Sequence, residues 1–223
     1  MNKNGSFLGS RNSVVRMDFW FPQMNGIDYN KLQMSLNSSY SITKPKDAKQ
    51  IEGFINKYIG GKNLTILDGT ANVGGDVINF GLNPNVEKVV AIEINADTFS
   101  KLENNIRVYG LEKKIKAIHG NSLDIIEKCA DGDHYDILFL DAPWGGKSYK
   151  KHKFLNLEMS GKKLVDVVKM VQKCQNIDNI ILKIPFNFNL YQLISNAEFH
   201  TIVIEKIKTG KSFYMILLLS IKK

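Results

Sequence analysis

Short apolar runs alternate with helical stripes along most of this chain. The apolar runs Leu64–Asp68, Lys88–Glu93, Lys116–His119, Tyr135–Leu140 and Asn179–Ile184 predict strands. Between them, Gly75–Leu82, Ala96–Tyr109, Leu123–Cys129 and Leu164–Cys174 predict helices, and Asn189–Ser195 predicts a short one. A stripe at Ile51, Phe54, Ile55 and Tyr58 predicts a further helix over Asp47–Tyr58, ahead of the first strand. Thr201–Ile207 and Ser212–Ile221 have no helix between them and predict an antiparallel pair turning at Gly210. The expected fold class is α/β: a mostly parallel seven-stranded sheet with helices on both faces, closed by a C-terminal antiparallel hairpin. Residues 1–43 lack this periodicity. They form an expected N-terminal arm, carrying the aromatic cluster Phe19-Trp20-Phe21-Pro22 and a candidate flap over a substrate, ahead of a domain spanning 44–223.

Composition narrows the class. At 223 residues, with 43% hydrophobic and 23% charged side chains, the chain can bury one full core. No apolar run reaches the length of a membrane span, and the polar Met1–Ser6 leads into no apolar signal segment, so no membrane association is expected. Cys129 and Cys174 stand 45 positions apart without clustered histidines. They are read as small core residues of a reducing, intracellular compartment (nuclear or cytoplasmic, or host cytoplasm for a viral protein), with no metal site. The net charge of +8 favours a polyanionic partner. With 27 lysines among 30 basic residues, however, AT-rich coding would produce the same excess without any selection for binding.

In open α/β sheets, ligands bind beyond the carboxyl ends of the strands. There the first run ends in Asp68-Gly69-Thr70-Ala71-Asn72-Val73-Gly74-Gly75, the second in Glu93-Ile94 and the third in Gly120-Asn121-Ser122. Neither GxGxxG nor GxxxxGK[ST] is present. An acid opening a glycine loop is unsuited to a pyrophosphate, but it suits a ligand bearing an ammonium and a sulfonium, such as S-adenosylmethionine. Glu93 would grip ribose hydroxyls and Asn121 would read an adenine edge.

The fourth strand delivers Asp141-Ala142-Pro143-Trp144-Gly145-Gly146. Trp144, between a proline and two glycines at a strand end, offers a flat face to a planar base. Asp141 or the Pro143 carbonyl can accept a hydrogen bond from an exocyclic amine and aim its lone pair at a methyl group. Asp-Ala-Pro-Trp resembles the (Asp/Asn/Ser)-Pro-Pro-aromatic motif of amino-directed class I methyltransferases. The run Phe139–Gly146 with Tyr149 is similar to the trimethylguanosine synthase family, which methylates guanine N2 of 7-methylguanosine RNA caps. Further matches are Ser41-Ile42-Thr43, Leu67-Asp68, Val73-Gly74-Gly75, Ala91–Ile94 and Asn104-Asn105 through Tyr109-Gly110.

The resemblance implies a Rossmann-like class I methyltransferase. Asp68, Gly69, Thr70, Gly74 and Gly75 would surround the methionine end of the donor. Glu93 and Ile94 would lie at its ribose, Asn121 and Ser122 at its adenine, and Asp141 near the reacting methyl. Asp141, Pro143 and Trp144 would be catalytic. Trp144 and Tyr40 would sandwich the cationic 7-methylguanine, with Lys147, Tyr149 and Lys150 on the outgoing cap. The implied partner is 7-methylguanosine-capped RNA, and the chain is expected to act as a monomer. Three departures stand out: Ala142 replaces a proline, Asn121 an acid, and Lys147 a proline. The lysines at 147, 150, 151 and 153, like Lys44, Lys46 and Lys49, suit either a cap triphosphate or a solvated loop. Two further readings stay open: methylation of guanine N2 or adenine N6 within RNA or DNA, and a non-catalytic RNA-binding module on the same fold.

Overall fold

The computed structural model describes residues 16–128, 132–195, 198–210 and 212–221, with the Lys147 side chain also left undescribed. Cys129 therefore lies outside the described residues. The strands are β1 (Leu64–Asp68), β2 (Val86–Glu93), β3 (Ile115–His119), β4 (Tyr135–Leu140), β5 (Glu158–Met159), β6 (Lys162–Lys163), β7 (Ile177–Pro185), β8 (Thr201–Thr209) and β9 (Ser212–Ser220). The helices are α1 (Leu36–Ser41), α2 (Pro45–Tyr58), α3 (Gly75–Leu82), α4 (Ala96–Val108), α5 (Ser122–Glu127), α6 (Leu164–Gln172) and α7 (Leu190–Ile194). Seven strands form one sheet in the order β3-β2-β1-β4-β7-β9-β8, while β5 and β6 make a separate small hairpin. The β2–β3, β1–β4 and β4–β7 ladders are parallel, whereas β7–β9 and β8–β9 are antiparallel, so the sheet is mixed as expected.

The chain divides into two compact units. The first comprises residues 1–63 and 71–120. Pro45 opens α2 where a missing N–H costs nothing, Asp47 sits in its first turn and Lys57 in its last, and Ile51, Phe54 and Ile55 form the buried stripe. Residues 16–43 are more ordered than their lack of period suggests: two 3₁₀ turns, Met17–Phe19 and Tyr29–Lys31, precede α1. They bury Phe21, Leu32, Met34 and Ile42 against Val73, Ile78 and Tyr109. Burying a phenylalanine such as Phe21 is worth roughly 2–3 kcal/mol. Polar bonds fix the register of that packing. Tyr109 donates its hydroxyl to the Pro22 carbonyl at 2.6 Å. Fully buried Asn105 accepts the Gln33 N–H and donates to the carbonyls of Gln33 and Val73 at 2.8–2.9 Å.

The second unit comprises residues 64–70 and 121–223. β4 and β7 are buried on both faces, as continuous apolar runs in a parallel sheet require. At the sheet edge, β8 is largely exposed and carries Glu205, Lys206 and Lys208, charges that discourage pairing with another chain. Cys174 follows α6 rather than ending it. It is buried and donates its thiol to the Ile126 carbonyl at 3.2 Å.

Candidate active site

Two acids, Glu93 and Asp76, and a glycine turn organise one end of the first unit. Glu93, the last residue of β2, accepts the Asn72 N–H on Oε2 at 2.9 Å and the Asn95 N–H on Oε1 at 2.8 Å. Each carboxylate oxygen keeps acceptor capacity beyond those bonds, as a grip on a pair of vicinal hydroxyls requires. Ile94, next in the chain, is 59% exposed, and its carbonyl oxygen lies 3.2 Å from His119 Nε2. Gly74 caps α3, and Gly75 opens it where no side chain fits: a Cβ there would come within 2.6 Å of Ile42 and 2.9 Å of the Thr43 carbonyl. Glycine thus lets Ser41-Ile42-Thr43 lie against this loop. Asn72 reinforces the contact by donating its amide to Ser41 Oγ at 3.2 Å, and Thr43 donates its hydroxyl to Asp76 at 2.5 Å. Tyr40, within α1, is 66% exposed beside that contact. Lys44 lies over Phe19 and Trp20 at 4.6 and 5.2 Å, which ties it to the N-terminal arm.

In the second unit, Asp68 ends β1 nearly fully buried, and its Oδ1 accepts the Thr70 N–H at 2.8 Å. Thr70 then accepts the Asp141 N–H on its hydroxyl at 2.8 Å, and Gly69 donates its N–H to the Phe139 carbonyl. The loop after β1 and the loop after β4 are therefore fixed to each other by hydrogen bonds. Asn121 caps α5, and its Oδ1 accepts the Leu123 N–H and the Ser160 hydroxyl at 3.1 and 3.0 Å. Those bonds orient the side chain by its oxygen and leave its NH₂ group as the donor end. Ser122 is buried.

Asp141 is joined to a residue the sequence reading missed. Lys183, on β7 and only 6% exposed, places Nζ 2.5 Å from Asp141 Oδ2. Burial pushes the Asp141 carboxyl above the ordinary carboxylate range, while the Lys183 charge and its hydrogen bond pull it back towards ionisation. The same ammonium lies 5.9 Å from the Trp144 ring centre and 5.2 Å from that of Tyr214. Ala142 is buried, Pro143 exposed, and Trp144 half-buried against Tyr149, edge-on at 5.2 Å. Gly145 adopts φ 81°, a left-handed turn suited to glycine, and starts the 3₁₀ segment Gly146–Lys151 that carries Tyr149 and exposed Lys150. The one signal for Lys183 was a single charge inside the run Ile180-Ile181-Leu182-Lys183-Ile184, since lysine is almost never buried unless paired.

Among the described residues, His134, Asp136 and Asp178 bring ligand atoms within 4.8 Å of one another. They lie near the opposite, amino ends of β4 and β7. There Asp136 accepts the Thr65 N–H and Asp178 pairs with His134 at 3.1 Å.

A mixed sheet of this order, with these acid-ended loops, defines a class I S-adenosylmethionine-dependent methyltransferase. Its fold is similar to that of an S-adenosylmethionine-dependent O-methyltransferase from Thermotoga maritima: TM-score 0.57 at 15% identity, covering 82% of this chain and 68% of that one. The chain belongs to the RNA cap guanine-N2 methyltransferase family, whose profile matches residues 63–217. It is 37% identical over 144 residues to the uncharacterized protein L320 of Acanthamoeba polyphaga mimivirus, covering 63% of this chain and 54% of that protein. It is 28% identical over 118 residues to the trimethylguanosine synthase of Schizosaccharomyces pombe, covering 52% and 47%. The chain thus spans about half the length of the curated relatives it matches. Its methyl donor is S-adenosylmethionine. No helix among the described residues is long and apolar enough to cross a membrane.

Proposed function

We propose that this chain methylates the exocyclic N2 amine of 7-methylguanosine in an RNA 5′ cap, giving 2,7-dimethylguanosine or, with a second transfer, 2,2,7-trimethylguanosine. The observation that carries the reading is the buried Asp141–Lys183 pair beside Trp144 in the Asp-Ala-Pro-Trp loop. Membership of the cap methyltransferase family and similarity to a trimethylguanosine synthase support it.

Bound S-adenosylmethionine supplies an electrophilic methyl carbon, so the protein's task is positioning more than activation. Asp68 faces the ammonium end of the donor, Glu93 holds the ribose hydroxyls, and the Asn121 amide meets the adenine edge. Trp144 stacks on 7-methylguanine, whose positive charge adds roughly 1–2 kcal/mol over neutral guanine. Tyr40, exposed within α1, is assigned to the same base as a second aromatic residue. Asp141, paired with Lys183, accepts a hydrogen bond from N2–H. The Pro143 carbonyl is a second acceptor, and together they aim the nitrogen lone pair. Tyr149 and Lys150 receive the phosphates leaving the pocket.

The test is methyl transfer to 7-methyl-GDP, GDP and uncapped RNA in parallel. Transfer to 7-methyl-GDP with little to GDP is expected. Equal use of both would remove the role of the cationic base, and transfer to RNA alone would favour methylation of an internal base.

A further inference from the structure

A line of aromatic rings leads away from Trp144 within the second unit, and methyl transfer does not use its far end. Trp144 meets Tyr149 with ring centres 5.2 Å apart, Tyr149 meets Phe186 at 6.2 Å, and Phe186 meets Phe213 at 5.9 Å. The interplanar angles are 72°, 58° and 52°, so the rings touch by their edges and do not cover one another's faces. Phe186 follows the carboxyl end of β7 yet is 42% exposed. Phe213, beside the β8–β9 turn, is half-buried. Cations flank the line: Lys150 Nζ lies 5.8 Å from the Tyr149 ring centre and Lys206 Nζ 5.0 Å from that of Phe213. A hydrophobic core would bury these rings, and a merely solvated strand end has no reason to gather them.

We infer that Phe186 and Phe213, with Lys150 and Lys206, form a strip that holds the first single-stranded RNA nucleotides following the cap. The inference rests on the cap reading, because Trp144 at the head of the line is where the capped base stacks. Unstacked bases of any sequence lie on aromatic faces, and lysines spaced along the rings meet the phosphates between them. The net charge of +8 matches that polyanion. A mononucleotide ends before the strip and gains nothing from it.

The experiment compares kcat/KM for a capped RNA decamer with kcat/KM for 7-methyl-GDP in the wild type, Phe186→Ala and Phe213→Ala. Each variant should lower the decamer-to-nucleotide ratio by about five-fold or more, from the loss of one base–aromatic stack. The nucleotide arm controls for folding. A ratio that stays at the wild-type value in both variants overturns the strip. If the wild type leaves 7-methyl-GDP unmethylated, the cap reading itself fails. The strip is then decided by fluorescence anisotropy with an uncapped RNA decamer: weaker binding by both variants upholds it as an RNA site, and unchanged binding overturns it.

Discussion

Replacing Lys183 by methionine keeps most of the side-chain volume and removes one charge from a buried pair. The Asp141 side chain is 15% exposed and that of Lys183 7%, with 2.5 Å between the charged atoms. Removing one partner of a buried pair costs ~3–5 kcal/mol, and the slight exposure of Asp141 favours the lower end, about 3 kcal/mol. For a chain of this size that corresponds to a melting-temperature drop of about 6–12 °C. The pH dependence has a definite sign. Burial already raises the Asp141 pKa, and losing Lys183 raises it further. Below that raised value the carboxyl is neutral and its burial costs little. The variant's deficit should therefore be largest above that raised value and shrink as the pH falls through it. Activity should move the opposite way: its acid limb shifts to higher pH, because the carboxylate proposed to accept N2–H persists only above the raised pKa. A double-mutant cycle with Asp141→Asn, read by denaturant unfolding, should give a coupling of about 2 kcal/mol. Additive losses, or a deficit that does not change with pH, would refute this account of the pair.

Other changes separate donor, acceptor and scaffold. Glu93→Ala should raise KM for S-adenosylmethionine about 10- to 100-fold by removing charge-assisted bonds to the ribose, with KM for the acceptor little changed in the same initial-rate series. Trp144→Ala should weaken 7-methyl-GDP binding by ~1–3 kcal/mol in calorimetric titration, with donor affinity preserved. Gly75→Ala should destabilise by roughly 1–3 kcal/mol in thermal unfolding, because its Cβ would overlap Ile42 and the Thr43 carbonyl.

How much was readable in the sequence depended on whether neighbours in the chain supplied the signal. β1, α3 and β4 have the predicted ends, because buried strands read as apolar runs with abrupt polar or glycine borders. β2 begins at Val86 instead of Lys88, since Glu87 and Lys88 break the apolar run ahead of its buried centre. The hairpin of β5 and β6 was not foreseen: two residues per strand carry no period. Within Phe19-Trp20-Phe21, only Phe21 is fully buried while Phe19 is 56% exposed, a choice that a 3₁₀ turn does not announce. Asp141 and Trp144 stood out because proline and glycine mark their loop. Lys183 did not, because its meaning lies in a partner 42 positions away.

The atom that receives the methyl group separates cap methylation from its alternatives. Capped RNA incubated with methyl-labelled S-adenosylmethionine, then digested to nucleosides and resolved by mass spectrometry, reads that atom directly. Label is expected in 2,7-dimethylguanosine or, where a second transfer follows, in 2,2,7-trimethylguanosine. Label in N6-methyladenosine or in an internal guanosine, with the cap unchanged, would contradict cap methylation.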